Sequence, residues 1–563
     1  MTTVESRSDT AEDGPGPQGG ALAAAEATGA AGPARPTIEA AEAEAAGSAV
    51  EAAETADVRR SSFGDRINTL LRGRLPLALI MILQIVLAYR LSNSAFEDES
   101  LYLYAGHREL ALELHGTPTY DSYPSYFSGA PFLYPILAAG ADHLGGLEAA
   151  RAMSLLFLLA TTGIVWTITR RLYGQAPAIL AALLFATSAP TLFLSRFATY
   201  DALAILLLAT AFWIVVRTAR MPVVVVLAAA PVLALAVAVK YAALLYVPTV
   251  IAVSVFIVPD HSYPRRAQWI RGLVRGLALT AGVVALLLAA YMSLSPDMKL
   301  GIRQTTTSRD QGGDPVSAIV RLSMVWCGWV FVLAVIGTCF EALRRNRSRA
   351  RTLLAATLAG SALLATVYQA HLHKMQSLHK HLGFGLMFAA PIAGLAIAGL
   401  ARLQHKDVRK RIPGLALGIA AVLTLYATHA VVPLYDGWPN STKMVAAIRP
   451  LVHEGHERYL AEENEVPRYY LRDKTQPYEW FTTFFFSYTT KQGQALQGVQ
   501  AYQSALQDHY FNLVILDHGP TAALDDELDK TLSAKGSGYT LVAQVPGATS
   551  HGTQMYEVWA AAG

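Results

Sequence analysis

The chain has 563 residues, of which 53% are hydrophobic and only 15% are charged. Soluble domains carry about 25% charged residues, so this composition predicts a polytopic α-helical membrane protein and excludes an ordinary soluble domain. The formal net charge of +3 gives no support for nucleic-acid binding, and two cysteines are too few for a disulfide framework.

The N-terminal segment 1–58 consists mostly of Ala, Glu and Gly, with almost no large apolar side chains. Such a segment cannot bury enough apolar surface to offset the entropy that is lost on ordering, so we expect a disordered cytoplasmic tail. The segment also lacks the charged start and apolar core of a signal peptide. This predicts that the first hydrophobic helix is an uncleaved membrane anchor.

Apolar runs that approach the length needed to cross a bilayer follow along the chain, and we count about eleven of them. They lie at 75–91, 152–168, 176–194, 202–216, 222–239, 241–258, 272–294, 322–340, 353–367, 382–400 and 412–432. Clusters of Lys and Arg precede the first run and then recur at every second loop, as the positive-inside rule requires of cytoplasmic loops. The sequence therefore predicts a multi-pass transmembrane domain over 75–432 in the cell membrane, with a cytoplasmic N-terminus.

The large first outer loop, 92–150, contains three consecutive carboxylates, Glu97, Asp98 and Glu99. An ionised side chain at the centre of a membrane helix costs about 2.5–3.5 kcal/mol, so an acidic cluster at the mouth of such a helix favours a functional role. A solvated acidic patch is the alternative. Residues 131–146 are apolar but short, and we interpret them as a half-buried part of this loop. If they cross, the helix count becomes about twelve and the charge alternation breaks.

Two charged residues mark the ends of later runs. Asp201 begins a run and could cap a helix N-terminus, pair with Arg196, or belong to the same site as Asp98. Lys240 interrupts an apolar stretch that extends from 222 to 258. The lysine is explained either by a hairpin corner, where its ammonium reaches the membrane interface, or by contact with a phosphate.

Two further polar segments lie on the same predicted outer face. The loop 295–321 contains Arg303 and Arg309, and its length is typical of either a lid or a mobile loop. The His-rich stretch 368–381 ends in Lys380-His381. Alternating His residues suit a metal, but no carboxylate lies nearby in the sequence. We therefore favour contact with a phosphate or lipid headgroup, name no metal ligands and no cofactor, and leave assistance by a divalent ion open.

After 435 the apolar runs shorten, and short strand-like pieces alternate with amphipathic helices. Residues 512–516 and 539–543 resemble buried strands, and 521–533 resemble a helix between them. The sequence therefore predicts a small extracytoplasmic α/β domain over 435–563.

Several of these segments, taken in order, resemble the C-type glycosyltransferase superfamily, in its bacterial branch of protein O-mannosyltransferases and lipid A aminoarabinose transferases. The resemblance extends over about 75–400. It rests on Asp98-Glu99-Ser100-Leu101-Tyr102, Arg151 with Arg170-Arg171-Leu172-Tyr173-Gly174, Ser195-Arg196-Phe197-Ala198-Thr199-Tyr200-Asp201, Val239-Lys240-Tyr241, and Lys380-His381 upstream of Pro391. The chain departs from the family pattern where Ser128-Gly129-Ala130-Pro131-Phe132 replaces the usual His-Pro-Pro element.

The resemblance implies an inverting enzyme that uses a polyprenyl-phosphate sugar at the outer membrane interface. It assigns the catalytic base to Asp98, with Glu99 beside it, and the second acidic position to Asp201. The basic residues that would bind the lipid phosphate are Lys240, Arg303, Arg309, Lys380 and His381.

The leading hypothesis is transfer of one sugar from this lipid carrier to an extracytoplasmic acceptor hydroxyl on a glycan, lipid or protein, with membrane lipids as further partners. The alternatives are a transporter or lipid flippase and a noncatalytic scaffold of an envelope-polymer complex. A transporter usually keeps polar groups at the bilayer midplane, whereas here charge gathers at the predicted outer ends of the runs.

Overall fold

The computed structural model describes residues 74–257, 264–344, 348–403, 412–455 and 457–562. The predicted tail, 1–58, lies outside the described residues. The described chain is a polytopic helical membrane protein followed by a C-terminal sheet domain.

The helical part contains sixteen α-helices in the described residues. They are α1 (Arg74–Ala88), α2 (Glu97–His115), α3 (Tyr134–Tyr173), α4 (Gln175–Thr187), α5 (Ala189–Leu194), α6 (Tyr200–Arg217), α7 (Ala229–Val239), α8 (Val247–Phe256), α9 (Arg265–Ser293), α10 (Pro296–Thr305), α11 (Val316–Ser323), α12 (Trp329–Leu343), α13 (Arg349–Gly360), α14 (Leu364–Leu372), α15 (Leu378–Leu403) and α16 (Ile412–Tyr435).

By length and composition, seven helical segments of the described chain could cross a membrane, and four shorter apolar helices accompany them. Each predicted apolar run overlaps one of these segments. The number that crosses stays a prediction, because several of the shorter helices fall below the roughly 17 residues of a full span.

Helix α3 is bent near its start. Gly145 and Gly146 have non-helical dihedral angles, and the φ of +66° at Gly146 is one that a residue without a Cβ adopts readily. The arm before the bend begins at Tyr134 and is about 16 Å long at 1.5 Å per residue, against about 30 Å of hydrocarbon. An arm of this length fits the interpretation of 131–146 as part of the first loop.

Helix α15 is the centre of the helical part. In its apolar window 83% of the residues are buried, and it packs between α4 and α12. At Gly337 of α12, an added Cβ would lie 2.3 Å from the carbonyl oxygen of Ile392, so the two backbones touch where a side chain has no room. The N-terminal turn of this central helix carries Lys380 and His381.

The C-terminal part combines short strands with four helices. Its elements are α17 (Thr442–Ile448), β1 (Tyr459–Ala461), α18 (Glu465–Tyr470), β2 (Trp480–Thr482), β3 (Ser487–Thr489), β4 (Ala495–Gln497), α19 (Val499–Gln507), β5 (Leu513–Leu516), α20 (Ala522–Leu532), β6 (Tyr539–Thr549) and β7 (Gly552–Ala561). Strands β5 and β6 and helix α20 lie where the sequence predicts them.

The main sheet has five strands in the order β2-β1-β5-β7-β6, and β3 pairs with β4 separately. Strand β1 runs parallel to both β2 and β5, whereas β7 is antiparallel to β5 and β6. All four residues of β5 are buried, as expected of a central strand that is covered on both faces. The carboxyl ends of β1, β2 and β5 therefore meet at one edge of the sheet.

Candidate active site

Helix α2 begins at Glu97, so the three acids of the first loop occupy its first turn, where the helix dipole stabilises negative charge. Their surroundings differ. Glu99 is fully buried, whereas the side chain of Asp98 is 25% exposed. Adjacent carboxylates on one turn thus face different parts of the molecule.

Glu99 is held by Arg151 of α3. The guanidinium donates to both carboxylate oxygens, at 2.9 and 2.6 Å, and the backbone N–H groups of Phe96 and Ala198 donate at 3.1 and 2.8 Å. Arg151 also donates to the carbonyl of Asn93 at 2.7 Å. This bidentate pair fixes the start of α2 to α3 and to the turn before α6.

Asp98 faces a cation from a distant part of the chain. The ammonium of Lys380, at the start of α15, donates to Oδ2 of Asp98, and the phenol of Tyr102 interacts with the same carboxylate. Burial alone would raise the pKa of Asp98, but the positive charges of Lys380 and Lys240 outweigh burial and hold the pKa below its usual value. Asp98 is therefore ionised at neutral pH and can accept a proton.

A second ion pair lies beside the first. Asp201, in the first turn of α6, is fully buried, and its Oδ1 lies 3.6 Å from Nζ of Lys240. The hydroxyl of Thr199 donates to Oδ2 of Asp201 at 2.9 Å. Because Asp201 and Lys240 both influence the charge of Asp98, the two pairs form one electrostatic cluster.

The first loop positions Lys240 through its backbone. The N–H of Ala130 donates to the carbonyl of Ala238, and the N–H of Tyr241 donates to the carbonyl of Ser128, each at 2.9 Å. Between them, a Cβ added at Gly129 would lie 2.0 Å from the carbonyl oxygen of Val239. Only glycine permits this approach, which explains the residue found where the His-Pro-Pro element is replaced.

A cavity of about 520 Å³ opens beside the cluster. Its basic lining residues are Lys240, Arg309 and His381, and the amide nitrogen of Gln369 lies 2.9 Å from Nδ1 of His381. Its other lining residues are mainly apolar or carry hydroxyl groups, among them Ser128, Leu244, Leu245, Tyr246, Pro248, Thr305, Thr306, Thr307, Ala365 and Phe384. The cavity thus combines positive charge with an apolar wall and has the size of a small-molecule site.

The long loop 295–321 is ordered against this cavity. It begins with α10 and continues as a segment that is tied to the turn between α14 and α15. There the N–H of Gly312 donates to the carbonyl of Leu372 at 2.8 Å, and the carboxylate of Asp314 accepts from the N–H of Met375 at 2.6 Å. These contacts bring Arg309 to the cavity wall.

A family model described as dolichyl-phosphate-mannose-protein mannosyltransferase matches residues 130–292. No curated protein sequence matches the chain. The matched segment covers the bent helix α3, the turn that holds Asp201, and Lys240.

Solved structures with a similar fold cover most of the chain. ArnT from Cupriavidus metallidurans, bound to undecaprenyl phosphate, matches at 13% identity and a TM-score of 0.51, over 85% of this chain and 97% of that one. AglB, the oligosaccharyltransferase of Archaeoglobus fulgidus, in complex with an inhibitory peptide and a dolichol-phosphate, matches at 12% identity and a TM-score of 0.50, over 85% and 74%.

The chain therefore resembles membrane glycosyltransferases, both in the matched segment 130–292 and in its fold. Of the residues that the sequence suggests for the site, Asp98, Asp201, Lys240 and Lys380 come together in the described structure, and His381 and Arg309 line the adjoining cavity. Arg303 is exposed on α10, outside the cavity lining, and Glu99 faces away from the cluster towards Arg151.

The structure rules out one of the three alternatives for Asp201 and shows a buried ion pair that the sequence does not predict. Arg196 binds Glu148 and lies 4.3 Å from the ring centre of Tyr89, so it does not pair with Asp201. The pair of Arg151 with Glu99 was not foreseen, although both residues belong to motifs of the resemblance. An arginine in an otherwise apolar helix segment needs a buried partner, and this need is the signal that the sequence offers.

The C-terminal domain holds the other side of the turn that carries Asp98. Tyr470 of α18 accepts a hydrogen bond from the N–H of Ala95 at 2.8 Å, and Nε1 of Trp438 donates to the carbonyl of Ser94 at 3.0 Å. Burial, together with the nearby carboxylates of Glu465 and Glu463, raises the pKa of Glu97 well above its usual value. The domain therefore packs directly against the turn that carries Asp98.

Proposed function

We propose that the protein is an inverting glycosyltransferase, which moves a sugar from a polyprenyl-phosphate carrier to an acceptor hydroxyl at the outer face of the cell membrane. The observation that carries the proposal is the convergence of an ionised, partly exposed aspartate with two lysines beside an amphiphilic cavity. Base and cations are the groups that transfer from a phosphate-linked donor requires.

The cavity suits a lipid phosphate. Lys240, Arg309 and His381 would contact the phosphate, and the apolar wall around Tyr246 and Phe384 would contact the first part of the hydrocarbon chain. The two structural neighbours with this fold are bound to undecaprenyl phosphate and dolichol-phosphate, which are ligands of the same chemical class. Arg303, which is exposed and outside the lining, has no part in this proposal.

The reaction would be a single displacement at the anomeric carbon. The acceptor oxygen forms a bond to this carbon as the bond to the phosphate oxygen breaks, and the hydroxyl proton moves to the carboxylate of Asp98. The departing phosphate gains negative charge, which Lys240 and Lys380 stabilise. Because attack and departure take place on opposite faces of the sugar ring, the anomeric configuration inverts.

We assign Glu99 and Asp201 to positioning rather than to proton transfer. Both oxygens of Glu99 already accept hydrogen bonds, from Arg151 and from two backbone N–H groups. Asp201 is fully buried and oriented by Thr199, so its charge holds the ammonium of Lys240 at the cavity. Asp98 is the carboxylate of the three that combines exposure with a charge partner.

The test compares envelope glycans in a strain that lacks the gene and carries either the wild type or Asp98→Asn. We expect the wild type to restore one sugar, detected by mass spectrometry, and Asp98→Asn to lower transfer by about 10²- to 10⁴-fold at equal membrane abundance. Glu113→Gln, which changes an exposed acid of the same helix, is the matched control and should restore the sugar fully.

The same comparison separates the proposal from its alternatives. A noncatalytic scaffold would tolerate Asp98→Asn, so full restoration of the sugar by this variant would overturn the proposal. If the protein were a flippase, the lipid-linked substrate would stay on the inner leaflet in the strain that lacks the gene. Accumulation of the sugar-loaded lipid on the outer leaflet would instead agree with a missing transferase.

A further inference from the structure

A second cluster of acids lies in the C-terminal domain, at the edge where the parallel strands end. Glu462 directly follows β1, Asp517 directly follows β5, and Asp525 lies in the first turn of α20. The carboxyl edge of parallel strands is the usual position of ligand sites in sheets covered by helices. The chain thus brings three acids from three segments to an edge that suits a ligand.

The spacing of these carboxylates fits a single cation. One oxygen of each residue lies within 4.8 Å of the corresponding oxygens of the other two. Oxygen ligands bind Ca²⁺ at about 2.3–2.6 Å, so ligands on opposite sides of an ion are separated by about 4.6–5.2 Å. The three oxygens therefore lie within one coordination sphere.

The three acids are buried, and among the described residues no basic side chain pairs with them. Glu462, Asp517 and Asp525 are 1%, 4% and 0% exposed, and His518, the neighbouring basic side chain, pairs with Asp526 and Glu557 instead. Backbone N–H groups satisfy part of the cluster. Gly519 and Thr521 donate to Glu462, and His518 donates to Asp525.

Asp517 adds an independent observation. Its Oδ1 has no hydrogen-bond partner among the described residues, although the residue is 96% buried, as its 4% exposure implies. Asp517 and Glu462 line a cavity of about 20 Å³, which has room for one water or ion. A Cβ built on Gly519 would lie 3.5 Å from Oδ2 of Asp517, 3.5 Å from Oε1 of Glu462 and 2.9 Å from the amide nitrogen of Gln554, so both carboxylates face the backbone of Gly519.

We propose that Glu462, Asp517 and Asp525 bind one divalent cation of the class that prefers oxygen ligands, Ca²⁺ or Mg²⁺. Three carboxylates buried together repel one another, and a doubly charged ion removes most of that cost. The ion would join the end of β1 to the loop between β5 and α20. Helix α18 follows β1 and packs on α2. The bound ion would therefore also stabilise the face of the domain that contacts the turn carrying Asp98.

The test uses the full-length protein in detergent micelles, freed of metal with EDTA and then desalted. We titrate CaCl2, and separately MgCl2, by calorimetry and measure Tm with and without each ion. One of the two ions should bind with a stoichiometry of one per chain and raise Tm by about 3 °C or more. Asp517→Asn should weaken binding at least tenfold and abolish the rise in Tm.

Asp526→Asn is the matched control, because Asp526 is an exposed acid on α20 next to Asp525 and outside the cluster. It should keep both the stoichiometry and the rise in Tm. Asp517→Asn keeps the size of the side chain and adds no charge to the cluster, so its Tm in EDTA should equal or exceed that of the wild type, which separates loss of the site from loss of the fold.

Two results would overturn the proposal. One is the absence of binding heat and of any change in Tm with both ions at millimolar concentration. The other is an equal rise in Tm for the wild type and for Asp517→Asn, which would indicate nonspecific binding to surface acids. Glycosyl transfer is not needed for either measurement, so the outcome is independent of the proposed function.

Discussion

In the helical part of the molecule, Glu99, Asp98 and Asp201 each face a cation from another segment, namely Arg151, Lys380 and Lys240. In the C-terminal domain, Glu462, Asp517 and Asp525 face one another. The free-energy cost of burying a carboxylate is therefore offset differently in the two regions. Paired charges need both partners in place, whereas a cluster of like charges is relieved by protons or by a bound cation.

This difference predicts opposite responses to the removal of one charge. Losing one member of a buried pair leaves the other uncompensated, so the fold is destabilised. Losing one member of the acidic cluster lowers repulsion, so the domain without metal is not destabilised. Four variants test this difference between the two regions.

Arg151→Met removes the cation that binds Glu99, and we expect the largest loss of stability. Breaking a buried pair costs about 3–5 kcal/mol, which should lower Tm in detergent by several degrees. The exposed Arg171→Met, on the same helix, is the control and should have little effect. Adding Glu99→Gln to Arg151→Met should recover part of the loss. If Arg151→Met alone is as stable as the wild type, the pair does not hold the turn.

Lys240→Met tests the second pair through catalysis. Removing one group that stabilises a leaving group costs about 10²- to 10³-fold in kcat, and Asp201 then keeps an uncompensated charge. The measurement is initial rates of sugar transfer in membranes that contain equal amounts of each protein. Asp201→Asn should lower the rate less than Lys240→Met, because it misplaces the lysine without removing it. The reverse order would contradict the assignment of Asp201 to positioning.

Lys380→Met tests the charge state of Asp98 through the pH dependence of kcat/KM. Lys380 holds the pKa of Asp98 below its usual value, so the wild type keeps an ionised base into the acid range and loses activity only as the pH falls through that pKa. Without the ammonium, burial raises the pKa, and the acid limb should move to higher pH by about one unit. Lys374→Met, a substitution in the preceding turn, should leave the profile unchanged. An unshifted limb for Lys380→Met would exclude Asp98 as the titrating base.

Asp525→Asn, measured in EDTA, should give the smallest effect. We expect a Tm within about a degree of that of the wild type, because burial and the neighbouring Glu462 raise the pKa of Asp525 to about 8, and the side chain is therefore mostly neutral at pH 7 before the substitution. Thermal unfolding of the full-length protein checks this. A fall of several degrees would instead mean that the hydrogen bond from the N–H of His518 to the carboxylate of Asp525 stabilises the domain. The predicted difference between the two regions would then be wrong.

The amino-acid sequence is sufficient to predict the features that depend on how each residue partitions between water and hydrocarbon. Every predicted apolar run overlaps an apolar helix, and the strands that include 513–516 and 539–543 lie where short apolar runs with β-branched residues predict them. These elements form because local composition and periodicity decide which surface is buried. The acids at the start of α2 can be recognised from the sequence for the same reason, because they directly follow an apolar run.

Which oppositely charged side chains form ion pairs depends on the tertiary structure. Asp98 and Lys380 form an ion pair although they are 282 positions apart. Asp201 pairs with Lys240, although Arg196 is much closer to Asp201 in the sequence. Arg303 and Arg309 are six positions apart on one loop, yet only Arg309 reaches the cavity. Which partner a buried charge finds depends on the order in which helices pack and on the direction of each side chain. Neither quantity is encoded in the local pattern of a single sequence, because packing is a property of surfaces that come together from distant segments.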